Sequence, residues 1–341
     1  MPVHQVRELH GLQNLPSVAT YYFASTGKPL TEEKEEYNRT SRHTRELTAE
    51  FNRNQLKLCC LLDDKLFVAE SLQYVTSKMA GTKIQTARPM IERVETRQGL
   101  TLSEKTDILS VRLRDASLGH QANIESLRIV NRYLISQAHS NPMEYPESDT
   151  PELFYRAFQC GSYSRHSMEL GFRSSNQPLT PPAYHDGTLL NSLLVNKDSL
   201  TNHCEGNQPS DLIALSDSPS RVLNILKTWG YSHRRGDMIA VINVSKLFAM
   251  RVLFNRTTTL AEKLGMKLWS GSQSTGLQYA NPNYWVAYRW IPAECIECYV
   301  SEDLLQEACQ SHGIDESDYT ARLSLNEIVA LKFQLLSMQQ N

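Results

Sequence analysis

A short segment with three prolines divides this sequence into two parts with different patterns. The segment covers residues 141–151 and also carries several acidic side chains. Because proline has no backbone N–H to donate and clashes with the preceding helical turn, a helix cannot continue through such a run. We therefore interpret the segment as a linker, in a chain of 341 residues that is long enough for two domains.

The part before the linker is predicted to be helical. Apolar residues recur at helical spacing over residues 41–79, without glycine or proline, so we expect a long helix that stops near Gly81. A second helical pattern covers residues 103–137, with Ser103 as the candidate cap at its start. Two such helices normally pack their apolar stripes against each other or against a neighbouring domain. The alternative is an arm that docks a protein partner or forms a coiled coil, although the heptads are not sustained.

Composition and charge limit the class of protein. Hydrophobic residues make up 40 % of the chain and charged residues 21 %, which is typical of a globular protein. The formal net charge of −2 gives no general attraction to nucleic acid or anionic lipid. The sequence shows neither an apolar run long enough to cross a bilayer nor a secretory signal at residues 1–5. We therefore expect an intracellular protein, cytoplasmic or nuclear, that binds neither membrane nor nucleic acid.

The part after the linker alternates short apolar runs with loops. Helices are expected after Pro219, over residues 259–266 and over residues 325–338, and residues 173–186 are expected to form a loop. Five runs predict strands, at residues 153–158, 211–216, 238–244, 284–290 and 295–300. This part is therefore predicted to be an α+β domain.

Arg156 lies in a strand-like run with aromatic neighbours, Phe154–Phe158. An arginine keeps its proton, so a buried guanidinium needs a carboxylate, backbone carbonyls or an anionic ligand. Its planar set of donors suits a phosphate, and aromatic neighbours suit a base or a ribose. A buried ion pair with Asp211 or Asp217 is the alternative explanation.

Two serines, Ser216 and Ser218, lie where the next apolar run ends. Strand alternation places both hydroxyls on one face and Asp217 on the other. Pro219 suits the first position of a helix, with Ser218 as its cap. Capping explains Ser218 alone, and two hydroxyls on one face could also hold a ribose or orient an arginine.

The seven cysteines form no regular framework, but Cys295 and Cys298 make a C-x-x-C pair. The sequence offers no second pair at zinc spacing, and a strand-like run holds these two residues. We interpret them as structural thiols and expect no metal cofactor, with a metal or thiol enzyme as the weaker alternative. The neighbouring set His203-Cys204-Glu205 is interpreted as a loop rather than a group of ligands.

The segments Phe154–Ala157, Leu215–Pro219 and Tyr284–Ala287, with the closing Ile291–Ile296, together resemble an uncharacterised domain family common in filamentous fungi. That pattern is in turn similar to the arginine–serine–glutamate class of ADP-ribosyltransferases, over residues 151–300. The resemblance implies a compact split β-sheet domain with NAD as its substrate.

The same resemblance implies a role for each segment. Arg156 would bind the phosphates and ribose of NAD, and Ser216 and Ser218 would shape the nicotinamide pocket. Tyr284 occupies the position where that class has its catalytic glutamate, since Glu294 belongs to the closing motif. An oxocarbenium-like transition state needs a carboxylate at close range, so a tyrosine at this position is expected to lower the cleavage rate strongly. Tyr284 is the candidate catalytic residue, as a partner of the nicotinamide ribose.

Two hypotheses about function follow. The first is an ADP-ribosyltransferase-like protein that cleaves NAD and transfers ADP-ribose to an acceptor. The second is an inactive domain of the same fold that binds a protein or a nucleotide, with the N-terminal helices as its docking surface. The predicted organisation is a helical region at 1–140, a linker at 141–151, an ADP-ribosyltransferase-like α+β domain at 152–302 and a helical tail at 303–341.

Overall fold

The structure is a computed structural model that describes residues 30–81, 99–138, 150–158, 164–175, 194–206, 209–228, 238–269 and 276–331. These residues form two compact units, residues 30–66 with 99–123 and residues 67–81 with 124–331. Most of the linker expected at residues 141–151 lies outside the described residues. None of the described helices is long and apolar enough to span a membrane.

The first unit is helical, and residues 67–79 and 124–138 of its helices belong to the second unit. The long helix α1 (Leu30–Met79) begins about ten residues before the predicted start, and Gly81 follows its end with a positive φ of 69°. The single helix expected at residues 103–137 is wrong, because α2 (Leu102–Ser117) and α3 (His120–Ala138) are separate. Gly119, with a φ of 72°, lies between them and takes the left-handed conformation that a non-glycine residue disfavours.

The cap of α2 also differs from the prediction. Thr101, and not Ser103, is the N-cap residue, and its hydroxyl accepts a hydrogen bond from the backbone N–H of Glu104 at 3.3 Å. The Glu104 carboxylate in return accepts from the Thr101 backbone N–H at 2.7 Å, which completes a capping box. Apolar residues of α1 and α2 then form one buried cluster, Phe51, Leu58, Leu109 and Ala116.

The second unit is an antiparallel α+β domain. Its strands are β1 Leu153–Phe158, β2 Arg165–Ser167, β3 Gly171–Arg173, β4 Leu212–Ser216, β5 Met238–Asn243, β6 Phe254–Arg256, β7 Tyr284–Tyr288, β8 Trp290–Ile291 and β9 Ile296–Val300. Its further helices are α4 Lys197–Glu205, α5 Pro219–Thr228, α6 Val244–Ala249, α7 Thr257–Lys263, α8 Glu302–Ser311 and α9 at 325–331. The main sheet has six strands in the order β6-β7-β4-β1-β5-β9, and β2-β3-β8 form a second sheet. The predicted α+β class is thus confirmed.

Side-chain alternation along β1 gives the main sheet two apolar faces. Phe154 and Phe158 belong to the cluster that contains Trp285, which we call the tryptophan face. Leu153 and Tyr155 belong to the opposite cluster, which α5 and α8 cover. Since Arg156 lies two residues from both Phe154 and Phe158, its side chain leaves the strand on the tryptophan face.

Several elements differ from the sequence prediction. The strand expected at 284–290 is interrupted at Arg289, which has a φ of 66°, so that β7 stays in the main sheet and β8 joins the second one. The loop expected at His203–Glu205 is wrong, because these residues end helix α4. The loop expected at 173–186 starts at the last residue of β3, and most of it lies outside the described residues.

Candidate functional site

The three strands that carry the predicted site residues are neighbours in the centre of the main sheet. Their order is β7-β4-β1, and Ser216 pairs with Tyr284 on one side and with Tyr155 on the other. Whereas β1 pairs with β5 along its whole length, its ladder with β4 consists of the Tyr155–Ser216 pair alone. Arg156 follows directly after that pair, where the ladder ends.

Arg156 has an incomplete set of partners. Its side chain is only 7 % exposed, its Nη1 donates to the carbonyl of Ala214 at 2.5 Å, and its Cζ lies 5.0 Å from the ring centroid of Phe172. Its buried Nε–H has no hydrogen-bond partner among the described residues. Burial lowers the pKa of Arg156 to about 10, so the side chain keeps its charge at neutral pH, and the nearby Tyr284 acts in the opposite direction.

The two acids proposed as alternative partners of Arg156 are engaged elsewhere. Asp211 pairs with Arg289 at 3.2 Å, and Asp217 pairs with Arg322 at 3.0 Å. Within the described part of the chain, no carboxylate forms an ion pair with Arg156. One carbonyl and one aromatic ring are therefore the partners of a buried positive charge, which an anionic ligand would compensate further.

The two serines are held by local backbone groups. The Ser216 hydroxyl accepts from the Ser218 N–H at 3.2 Å and donates to the Ser218 carbonyl at 3.3 Å. The Ser218 hydroxyl accepts from the Arg221 N–H at 3.3 Å, as a cap at the start of α5 does. Ser216 shares the strand face of its ladder partners Tyr155 and Tyr284, whereas Arg156 leaves β1 on the tryptophan face. The two serine hydroxyls therefore shape the turn after β4 through their backbone contacts.

Tyr284 lies at the first position of β7, with no acidic side chain beside it in the strand. Burial raises the pKa of Tyr284, so its phenol is neutral at neutral pH. The acid that could have replaced the missing glutamate, Glu294, is in an exposed turn and pairs with Arg128 at 2.9 Å. Neither residue supplies a carboxylate for a developing positive charge.

Two histidines that the sequence does not mark as site residues, His166 and His203, interact electrostatically with Arg156. His166 on β2 packs against Phe158 and Phe172, with ring centroids 4.5 and 4.7 Å away, and its Nε2 lies 2.9 Å from the Tyr299 hydroxyl. His203 on α4 has its ring 6.0 Å from that of Tyr284. Burial, followed by the charge of Arg156, lowers the pKa of His166 to about 4 and the pKa of His203 to about 3. Both imidazoles are therefore neutral at physiological pH.

The C-x-x-C pair does not converge on one point. Cys295 is fully buried in the tryptophan face, whereas Cys298 packs against the opposite cluster. Burial raises the pKa of the Cys295 thiol. Among the described residues, no group of three or more His, Cys, Asp and Glu is arranged to hold a metal ion.

A family model described as a domain of unknown function (DUF7587) matches residues 149–305. The matched range runs from before β1 into α8 and contains Arg156, Ser216, Ser218 and Tyr284. A search among curated proteins gave no match, and a search among solved structures gave none either. The description of the family model names no ligand or reaction, so the contacts of the site carry the functional argument.

Proposed function

We propose that the sheet domain is an ADP-ribosyltransferase-like nucleotide-binding module, in which Arg156 binds the pyrophosphate of NAD. The observation that carries the proposal is the buried guanidinium of Arg156, which meets one carbonyl and no carboxylate among the described residues. A phosphate oxygen would accept from its free Nε–H and neutralise its charge. Phe172, already stacked near this guanidinium, adds an aromatic wall.

The strand arrangement agrees with this proposal. The arginine strand, the serine strand and the tyrosine strand are neighbours in the main sheet in the order β1-β4-β7, as a site built from all three requires. The ladder between β1 and β4 is short, and Arg156 lies beyond its last pair, where we place the ligand. The serines contribute by fixing the turn after β4, since their hydroxyls are used by the backbone.

We expect binding without rapid turnover. Cleavage of the nicotinamide–ribose bond leaves positive charge at the anomeric carbon, and a nearby carboxylate stabilises that charge. Tyr284 offers a neutral phenol instead. Loss of one such electrostatic partner costs on the order of 10²- to 10³-fold in rate. NAD is therefore expected to behave mainly as a ligand.

The test is calorimetric titration of the full-length protein with NAD, combined with detection of released nicotinamide. Arg156→Met should weaken NAD binding at least about tenfold, because a charge-assisted hydrogen bond is lost. Arg156→Lys should weaken binding less, because it keeps the charge without the planar donor set. The control is Arg132→Met, which changes an exposed arginine on α3 and should leave the affinity unchanged. Absence of NAD binding by the unmodified protein would overturn the proposal, and rapid nicotinamide release would overturn the expectation of slow turnover.

A further inference from the structure

His203 and Arg156 each hold a buried nitrogen that has no hydrogen-bond partner in the part of the chain that the structure describes. The atoms are His203 Nε2 and Arg156 Nε. The Tyr284 ring is 6.0 Å from that of His203, and the charge of Arg156 acts on both side chains, so the two nitrogens belong to one buried region. Buried polar atoms are normally satisfied by protein, water or a ligand, so two such atoms near one another require a common explanation.

The contacts of Ser210 identify the tautomer of His203. The Ser210 hydroxyl oxygen accepts the backbone N–H of Leu212 at 2.8 Å and lies 3.0 Å from His203 Nδ1. Its proton needs an acceptor, and Nδ1 is the acceptor that the described contacts of this hydroxyl provide. In that arrangement Nδ1 accepts and the ring proton is on Nε2. The unpartnered atom of His203 is therefore an N–H donor, of the same kind as the Nε–H of Arg156.

We propose that His203 is a second ligand-binding residue of the Arg156 site, whose Nε2–H donates to an oxygen of the phosphate group that Arg156 binds. The inference rests on the proposed nucleotide site and adds to it a residue that the sequence resemblance does not supply. The ligand class is a phosphate or pyrophosphate, because its oxygens accept from both donors at once.

A neutral imidazole suits this position better than a second cation. Burial and the charge of Arg156 lower the pKa of His203 to about 3, so the ring donates a hydrogen bond without adding charge. A second buried cation next to Arg156 would be repelled in the absence of ligand. Arg156 therefore supplies a charged donor that attracts the phosphate, and His203 supplies a neutral donor that orients it.

Two substitutions distinguish the role of His203 Nδ1, which contacts Ser210, from that of Nε2, which is proposed to bind the phosphate. In His203→Asn the side-chain amide can keep the contact to Ser210, but no donor is left at the Nε2 position. In His203→Gln the longer amide places a donor near the Nε2 position. We expect His203→Asn to weaken ADP binding about tenfold or more. The ADP affinity of His203→Gln should stay within about threefold of that of the unmodified protein. Thermal unfolding of each variant reports whether it is folded.

A second measurement on the unmodified protein avoids the risk that a variant misfolds. Long-range ¹H–¹⁵N correlation spectra of the histidine rings should show the proton on Nε2 of His203, and addition of ADP should shift that resonance. A proton on Nδ1, or an Nε2–H resonance that ADP saturation does not move, would overturn the inference and point to bound water instead. If Arg156→Met abolishes ADP binding while folded His203→Asn does not weaken it, the His203 inference fails and the nucleotide site survives. If the unmodified protein binds neither NAD nor ADP, both fail.

Discussion

Arg156 and Asp217 are buried charges of opposite sign that the fold treats differently. Asp217 accepts from the indole of Trp285 at 3.1 Å and from the Asn283 amide at 3.0 Å, and it pairs with Arg322. Arg156 has one carbonyl and an aromatic ring. A satisfied buried charge fixes the structure, whereas an incompletely satisfied one marks a candidate ligand site. This contrast makes Asp217 part of the architecture and supports the proposed role of Arg156 in binding.

The neutral histidines next to Arg156 predict how stability depends on pH. In the folded protein the pKa of His166 is lowered to about 4 and that of His203 to about 3, whereas unfolded histidines titrate near about 6.5. Above about pH 6.5 both states are neutral and the full stability is present. As the pH falls from there towards 4, the unfolded chain takes up more protons, so the free energy of unfolding decreases.

Substitution of His166 tests this pH dependence. Urea unfolding at pH 7.5, 6 and 5 should give a decreasing free energy of unfolding, and His166→Phe should make the decrease shallower by up to one proton. At pH 7.5 the His166 ring is neutral, as is the phenylalanine that replaces it. The difference in the free energy of unfolding between the two proteins at this pH therefore isolates the effect of the lost contact to Tyr299. An unchanged slope in His166→Phe would show that this imidazole is protonated to the same extent in both states.

At the scale of elements, the second sheet depends on Gly171. Its φ is 82°, and a Cβ at this position would lie 2.2 Å from the carbonyl oxygen of Ile291 in β8. That sheet carries Phe172, which stacks near Arg156. A side chain at position 171 therefore forces β3 and β8 apart and displaces one wall of the site.

Gly171→Ala is expected to destabilise the protein by at least about 2–3 kcal/mol, since it combines an unfavourable φ with a backbone clash. Gly206 supplies a matched control, because it has a similar φ of 67° but a Cβ added there would meet no atom of the described residues within 4 Å. Gly206→Ala should thus cost only about 1 kcal/mol. Denaturant unfolding measures both, and equal losses would show that the contact with β8 has no effect.

The sequence predicts the elements whose pattern is long enough to show a period. The five predicted strands correspond to β1, β4, β5, β7 and β9, because each is an apolar run of five or six residues. Strands β2, β3, β6 and β8 have only two or three residues, which is too short for alternation to be visible. The pairing of β3 with β8 and of β6 with β7 depends on distant parts of the chain.

The same limit applies to the site. Arg156 could be identified because its neighbours in sequence are aromatic and predict burial. His166 could not, since its partner Tyr299 is 133 residues away. For His203, the contact to Ser210 is local, but the ring is kept neutral by tertiary burial and, to a lesser extent, by the charge of Arg156 from another part of the chain. Sequence patterns show which residues are buried, and tertiary pairing decides which of them meet.

At the scale of the whole molecule, the core of the sheet domain extends past the residues that the family model matches. The match ends at residue 305, but four apolar residues beyond α8 are buried in the cluster that contains Tyr155. They are Ile314, Leu323, Ile328 and Leu331. Polar contacts support the same packing, such as the Ser220 hydroxyl on the Asp315 carbonyl at 2.9 Å. The segment after α8 therefore belongs to the structural unit that holds the site.

Adjacent residues of α9 allow this to be tested with a matched pair. Ile328 is fully buried, whereas Val329 is 37 % exposed. Ile328→Ala should lower the free energy of unfolding by about 2–5 kcal/mol through lost burial and a residual cavity, and Val329→Ala should change it by less than about 0.5 kcal/mol.

Because Ile328 shares a cluster with Tyr155 of β1, a signal from the sheet and a signal from α9 should be lost in one transition. A variant in which α9 unfolds at lower denaturant while the sheet keeps its original midpoint would show that the segment is an independent appendage. Loss of both together would place the C-terminal segment within the cooperative unit that positions Arg156.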